Sequence, residues 1–419
     1  MMKLDVKRVS ELVIAAGVTA VLTIGYIVYT GRVLGPVEYA DFSAGLSVIY
    51  LFSVALSPVT PTVARLVTRS AARNDIPAVA ALRREALNHL VVTVAIIGVI
   101  LAVFSGPIAR ALHFRTTSTL LLAFAAALLF ALLSVDRGVI HGLMRFRTHN
   151  ANVVLEAVIR AGGAVLLLHV TRNSAAALAS YVVALLVAES AIAIPFAREW
   201  RGIPRASVDW QEVSRLTKPM IVLMLAIAVL QNSDVLAVKR FFPAAEAGVY
   251  GAASAVARAF GVIFVPLYVL AGPLLTGAHD AGRPIRGLTL QLCGVFLALS
   301  IIPLLLFVVW PERIMTLLYG PAFAAAGPLV ARLGGVAIIT YTALMLAQAL
   351  ITVADFRFLP AFAIGALTQI LMLALNHGNY NDVIGALYAT QLAVLLLVAI
   401  NFFRCSRLSL PASTTTRII

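Results

Sequence analysis

Val91-Val-Thr-Val-Ala-Ile-Ile-Gly-Val-Ile-Leu-Ala-Val-Phe104 is the core of an apolar run centred near Ile96, which starts after Arg83-Arg84-Glu85 and stops before Arg110. A helix that crosses a bilayer needs about 20 mostly apolar residues, and this run is long enough. Similar runs recur outward from it in both directions. Their centres lie near Val21, Leu51, Phe124, Val165 and Leu185 in the first half of the chain. In the second half they lie near Leu225, Val262, Leu299, Leu344, Leu371 and Leu395. The sequence therefore predicts an all-α membrane protein of about twelve transmembrane helices, with almost nothing folded outside the bilayer.

Bulk composition agrees. The 419 residues are 61% hydrophobic and 12% charged, against about 25% charged residues in a soluble domain. A soluble fold could not hide that much apolar surface, whereas lipid itself solvates the outer faces of a membrane bundle. The first run, Leu12 to Thr30, follows Lys3, Lys7 and Arg8 as a signal peptide would. It has no clear small-x-small cleavage site, and it is read as a retained span.

A net charge of +14 would suit nucleic acid, but the basic residues stand in short clusters between apolar runs, so no nucleic-acid partner is expected. With the N-terminus placed in the cytoplasm, 22 Lys and Arg fall on the cytoplasmic side and 7 on the other, as the positive-inside rule requires. An even number of spans with both termini cytoplasmic follows. The longest polar connections, Arg65 to Glu85 and Arg198 to Lys218, read as amphipathic linkers whose charge sets topology and faces anionic lipid. No connection is long enough for a catalytic domain. There is no Walker loop, the seven histidines lack metal-ligand spacing, and Cys293 and Cys405 form no CxxC pair. No cofactor and no enzymatic activity are expected.

The two halves of the chain echo each other. Arg32-Val-Leu-Gly-Pro36 and Lys239-Arg-Phe-Phe-Pro243 align at an offset of 207 residues. Pro107-Ile-Ala-Arg110 and Pro311-Glu-Arg313 follow at 204, and Met144-Arg-Phe146-Arg147 and Ala354-Asp-Phe356-Arg357 at 210. Three landmarks in order, half a chain apart, predict two pseudo-symmetric six-helix halves, residues 1–200 and 218–419, joined by a cytoplasmic linker over 201–217. Six is even, so both halves enter the membrane in the same sense. By analogy with transporters built from such parallel repeats, a substrate path would run between them.

At these residues the chain resembles the polysaccharide flippases of the MOP superfamily, the Wzx-type O-antigen and exopolysaccharide transporters. Gly31-Arg-Val-Leu-Gly-Pro-Val-Glu-Tyr39, Gln231-Asn-Ser-Asp234, Ala247-Gly-Val-Tyr-Gly-Ala-Ala-Ser254 and Pro311 to Gly320 carry the likeness, which covers most of the chain. It implies a multi-pass protein of the bacterial inner membrane that moves an undecaprenyl-diphosphate-linked oligosaccharide from the inner to the outer leaflet. It further implies a role in lipopolysaccharide O-antigen or other surface polysaccharide biosynthesis, beside polymerases and glycosyltransferases. A lipid II or small-molecule exporter of the same superfamily is the alternative. A polysaccharide polymerase or glycosyltransferase is a third; for it only Glu38 and Asp41 offer an acidic pair, which otherwise caps a turn. A major-facilitator carrier is disfavoured, because Arg65 to Glu85 lacks its Gly-x-x-x-Asp-Arg pattern.

Ionisable side chains inside spans are costly and face the protein interior or water. Arg258, midway along the eighth span, either grips a diphosphate, to which guanidinium offers a bidentate fork, or pairs with Asp234. Glu156 and Arg160, four residues apart on one helix face, either neutralise each other or place Arg160 beside Arg258 in a substrate cavity. Asp234 and Glu189 are candidates for coupling to a cation or proton. Arg32 and Lys239 end the first and seventh spans, as interfacial anchors or as parts of a gate. Pro58 and Pro61 in the second span, and Pro266 and Pro273 in the eighth, mark candidate gating hinges.

Overall fold

The computed structural model describes residues 6–203 and 210–408. Residues 204–209 of the expected linker lie outside the described residues, as do Lys3, Arg205 and Arg417 and the side chains of Lys7, Arg8, Arg215 and Arg407. The described residues are helical throughout, with no strand. The first unit of the chain holds α1 (Val6–Leu56), α2 (Val59–Ala71), α3 (Ile76–Ala111), α4 (Thr117–Gly142), α5 (Phe146–Thr171) and α6 (Ser174–Glu199). Then come α7 (Trp210–Phe241), α8 (Ala244–Ala257), α9 (Phe260–Asp280), α10 (Arg286–Val309) and α11 (Pro311–Tyr319). After a 3-10 turn at Pro321–Ala326 the chain closes with α12 (Gly327–Thr352), α13 (Leu359–Leu375) and α14 (Tyr380–Arg404).

Among the described residues, ten helical stretches are long and apolar enough to cross a membrane, and the chain is a multi-pass membrane protein. Two expected spans share the first stretch, Ile14–Ala71, which is 58 residues long. The run near Leu371 is α13, a 17-residue helix. All twelve expected centres thus lie in apolar helix. The long first stretch is broken at Gly35, whose φ of 68° and ψ of 173° suit glycine alone. Pro36 follows, with no N–H to leave unsatisfied as the next helix begins.

The chain divides into two compact units: the described residues up to Ala228 with Pro243–Gly248, and Val229–Phe242 with the residues from Val249 on. The sequence echo is an echo of structure. Helices α3 and α10 start 210 residues apart, at Ile76 and Arg286, and α4 and α12 both start and stop at that offset. The turns that follow α4 and α12 match bond for bond. Met144 and Ala354 have φ of 57° and 54°. The amides of Leu143, Met144 and Arg145 donate to the carbonyls of Val139, His141 and Ile140; those of Val353, Ala354 and Asp355 donate to Ala349, Ile351 and Leu350. Both turns end a helix with one left-handed residue.

In the first unit, α4 packs against α1, α2, α3 and α6; in the second, α12 packs against α9, α10 and α14. Helix α2 is amphipathic, burying Val63 and Val67 and exposing Arg65 and Arg69. It lies close on α4 because Gly138 and Gly142 have no side chain. A Cβ at Gly138 would come 2.8 Å from the Thr60 carbonyl, and one at Gly142 would come 2.7 Å from the Ala64 carbonyl. Thr60 and Thr68 hydroxyls donate to the Ser134 and Gly142 carbonyls across the same contact. The pair Gly334-Gly335 plays the same part in α12, where a Cβ at Gly334 would meet the Phe260 ring at 2.8 Å.

Candidate functional site

Among the described residues, both units hold charged and strongly polar side chains inside their helices. In the first unit a cluster is built on α4 and α5. Glu156 is shared by two arginines: Arg160 Nη1 donates to Oε1 at 3.2 Å and Arg137 Nη2 donates to Oε2 at 2.8 Å. Arg137 also donates twice to Asn152 Oδ1, at 3.0 and 2.9 Å, and Asn152 Nδ2 donates to the Ala188 carbonyl of α6. Arg160 Nη2 donates to the Thr23 hydroxyl at 2.6 Å, and its guanidinium lies over the rings of Tyr181 and Tyr26, at 4.6 and 5.5 Å. Tyr26 is pinned in turn by a bond to the Ala177 carbonyl. The expected pairing of Glu156 with Arg160 is present, inside a sealed cage in which both residues are buried.

Next to Arg137 on α4, Asp136 receives a two-pronged bond from Arg83 of α3, at 2.7 and 2.7 Å. Glu189 of α6 lies against Asp136, and its Oε2 is buried without a hydrogen bond. Sequence reasoning placed the Arg83 and Arg137 charges in cytoplasmic connections and passed over Asp136. The signal was present: an acid inside an apolar run, ahead of the Met144 turn.

In the second unit a cluster joins α7 to the end of α8. Asp234 Oδ2 accepts from the Tyr250 and Ser254 hydroxyls at 3.0 and 3.2 Å. Its Oδ1 accepts no hydrogen bond and lies 3.8 Å from Arg258 Nη2. Arg258 itself donates to Asn232 Oδ1 at 3.0 Å and to Ser254 Oγ at 3.2 Å. Asp234, Ser254 and Arg258 border a cavity of about 50 Å3 whose wall also includes Gln231, Thr340 and Tyr341, which is room for a few waters. The Arg258 side chain is 27% exposed, against 6% for Arg160.

Behind the cavity lies a network of uncharged amides. Gln369 of α13 and Gln391 of α14 both donate to the Leu230 carbonyl at 3.0 Å. Gln369 also meets Ser233 and Thr390, and Gln391 meets Thr340. Neither glutamine is among the residues singled out from the sequence, although a buried amide in a span is itself a signal.

The helix break of the second unit falls where sequence reasoning did not put it. Helix α8 ends at Ala257 and α9 starts at Phe260, so Arg258 and Ala259 form the interruption. Three-residue bonds from Ala259, Gly261 and Val262 to Val256, Arg258 and Ala259 tighten the backbone there. Pro266 and Pro273 are exposed inside an unbroken α9; spans tolerate proline because neighbouring groups satisfy the freed carbonyls. Pro58 does lie at a break, the two residues Ser57 and Pro58 between α1 and α2. Arg32 and Lys239 differ: Arg32 is exposed, and Lys239 is buried in the last turn of α7.

Glu38 and Asp41 do structural work. Glu38 pairs with Arg115 and accepts from the Ser174 amide that opens α6, and Asp41 accepts from the Arg115 amide. Between the α4 and α5 spans, Arg145 forms a two-pronged pair with Glu199, at 3.0 and 2.7 Å. The hydrogen-bonded carboxylate holds that guanidinium above its ordinary pKa. Among the described residues no group of three or more His, Cys, Asp and Glu side chains could hold a metal ion.

Residues 6–277 match the family described as polysaccharide biosynthesis protein. No curated protein sequence matches the chain. The fold is shared with solved membrane transporters. An inward-facing multidrug resistance MATE family transporter of the MOP superfamily superposes with a TM-score of 0.72 at 10% identity, over 92% of this chain and 93% of that one. The lipid II flippase MurJ, in an inward closed conformation, gives 0.71 at 12% identity, over 93% and 86%. A MOP superfamily transporter from Pyrococcus furiosus Vc1 gives 0.60 at 12%, over 95% and 94%. At such identities the likeness is one of fold.

Proposed function

The chain belongs to the polysaccharide biosynthesis protein family, and from that premise we propose that it carries a polyprenyl-diphosphate-linked oligosaccharide across a bacterial inner membrane. The direction would be from the cytoplasmic to the outer leaflet, for surface polysaccharide of the O-antigen kind, with both termini cytoplasmic. It is a transporter and not an enzyme in this reading: residues 1–200 and 218–419 form two halves that alternate access, and residues 201–217 link them. A polymerase and glycosyltransferases would be its working partners.

The observation that carries the reading is the state of Arg258. Its guanidinium sits at a helix break within an apolar stretch, borders a cavity, and is held by a carboxylate at 3.8 Å rather than by a tight pair. A diphosphate offers that group stronger bidentate bonds than Asp234 does at this distance. The cavity of about 50 Å3 admits water and not a diphosphate, so loading requires the α8–α9 break or its neighbours to open. Arg160 is caged by Glu156, Thr23, Tyr26 and Tyr181, and in this state it packs the first unit; it meets substrate only if that cage opens. Asp234 and Glu189 each keep one buried carboxylate oxygen without a hydrogen bond, the position a coupling proton or cation would occupy.

The experiment is flipping of a labelled polyprenyl-diphosphate glycan by the purified chain in liposomes. Wild type should translocate it, and Arg258→Ala should lose at least 90% of the rate at unchanged protein level. Full activity of Arg258→Ala would refute the role given to that residue. Transport of lipid II or of a small cation in place of the glycan would move the chain to another branch of the same fold.

A further inference from the structure

The start of α3 and the end of α6 enclose a second cavity, of about 360 Å3, in the first unit. Arg83, Arg84, Asn88, Trp200 and Arg201 line it, with Phe196. Arg83 is neutralised by its two-pronged bond to Asp136. Arg84 donates to the Ile203 carbonyl at 3.4 Å, and among the described residues neither Arg84 nor Arg201 has a carboxylate partner. The nearby Glu199 is committed to Arg145. Among the described residues, two guanidinium groups therefore line one cavity without a carboxylate partner, an arrangement that suits a dianion.

The wall opposite is rigid and amphipathic. Trp200 stacks on Phe196 with ring centres 4.5 Å apart and 15° between planes. Arg83 and Arg145 lie over the Phe196 ring at 5.2 and 5.6 Å. A buried indole beside arginines at the end of apolar helices is the composition of a membrane–water boundary. Basic pockets at that level take lipid headgroups, and the guanidinium fork matches phosphate oxygens. We infer that this cavity binds a phosphoryl group, a phosphomonoester or diphosphate, carried by a membrane lipid. The inference concerns residues apart from the Arg258 cluster and does not rest on the transport reading.

The test uses the full chain in phosphatidylcholine nanodiscs containing a fixed fraction of phosphatidic acid, with bound lipid read by native mass spectrometry. Wild type should retain phosphatidic acid, and R84Q/R201Q at least tenfold less. R65Q/R73Q, which removes two exposed charges outside the cavity, should retain it as wild type does. Equal retention by R84Q/R201Q, or equal loss in R65Q/R73Q, overturns the site in favour of general surface charge. Inorganic pyrophosphate, titrated against wild type alone, needs no variant to fold. Displacement of phosphatidic acid at equal concentration supports the phosphoryl site with the headgroup as sole determinant, so that a free anion fills it too. Resistance to displacement supports it with the acyl chains contributing, so that the lipid is the ligand. Binding of neither probe to wild type overturns it.

Discussion

The two units share a frame and fill it differently. In the first, one carboxylate, Glu156, holds two arginines, and tyrosine rings cover one of them, so that the cluster is closed in by its own partners. In the second, Asp234 and Arg258 stand 3.8 Å apart, each bound more closely to neutral hydroxyls and an amide, beside a cavity. The helices that organise these units, α4 and α12, begin and end 210 residues apart, so the difference lies in side chains and not in the scaffold. A charge cluster closed in by its own partners is a structural element. One that leaves a guanidinium loosely held, at a break in its helix, is available to a ligand.

Removing the shared carboxylate should break the first cluster most severely. Glu156→Ala leaves Arg137 and Arg160 buried without their common acid, a loss of about 3–5 kcal/mol for a buried pair broken from one side. Thermal melting in detergent should show the variant largely unfolded at temperatures where wild type persists. An unchanged melt would mean that water already solvates the cage, and the contrast between the units would fall.

The amide network of the second unit should matter less. Gln369→Leu removes bonds to Leu230, Ser233, Thr390 and Gln391 but leaves Gln391 on the same Leu230 carbonyl. A loss of about 1–2 kcal/mol is expected, the range for unpairing buried neutral groups. A loss as large as that of Glu156→Ala would show that neutral amides hold the second unit as firmly as ions hold the first.

Arg258→Ala should cost less again, about 1 kcal/mol or below, because buried Asp234 keeps both hydroxyl donors and Arg258 itself is partly exposed at a distance of 3.8 Å. The melt should stay close to wild type while flipping is lost. A collapse in stability comparable to Glu156→Ala would make Arg258 a structural arginine like Arg160.

How much of this could be read from the chain follows from the range of each interaction. Apolar runs and turn chemistry are local, so all twelve span centres and the Pro36, Met144 and Ala354 landmarks were legible. Glu156 with Arg160 is a one-turn pair and was legible too. The Arg83–Asp136 bond joins residues 53 apart, and Gln369 reaches Leu230 across 139; the acid and the amide inside apolar runs are local signals, but their partners are not. The α8–α9 break was misplaced for a related reason. Pro266 and Pro273 are the local signals, yet their neighbours accommodate them, and the interruption falls at Arg258-Ala259, where no helix-breaking residue stands. Packing decides that position. Lys239 and Arg32 align in sequence, yet one is buried and the other exposed, again through surroundings that a repeat in sequence does not specify.

The smallest expected effect tests the shared frame itself. Met144 and Ala354 hold left-handed backbone with side chains that disfavour it. That conformation costs an L-residue roughly 1–2 kcal/mol, and glycine removes the cost at an entropic loss of about 0.5–1 kcal/mol. Met144→Gly and Ala354→Gly should each stabilise the protein by about 0.5 kcal/mol, and by the same amount within error, because the hydrogen bonds of the two turns coincide. Equal upward shifts in melting temperature would support one turn used twice. A gain at one position and a loss at the other would show that the duplicated backbone carries different strain in its two copies, and that the units diverge in frame as well as in filling.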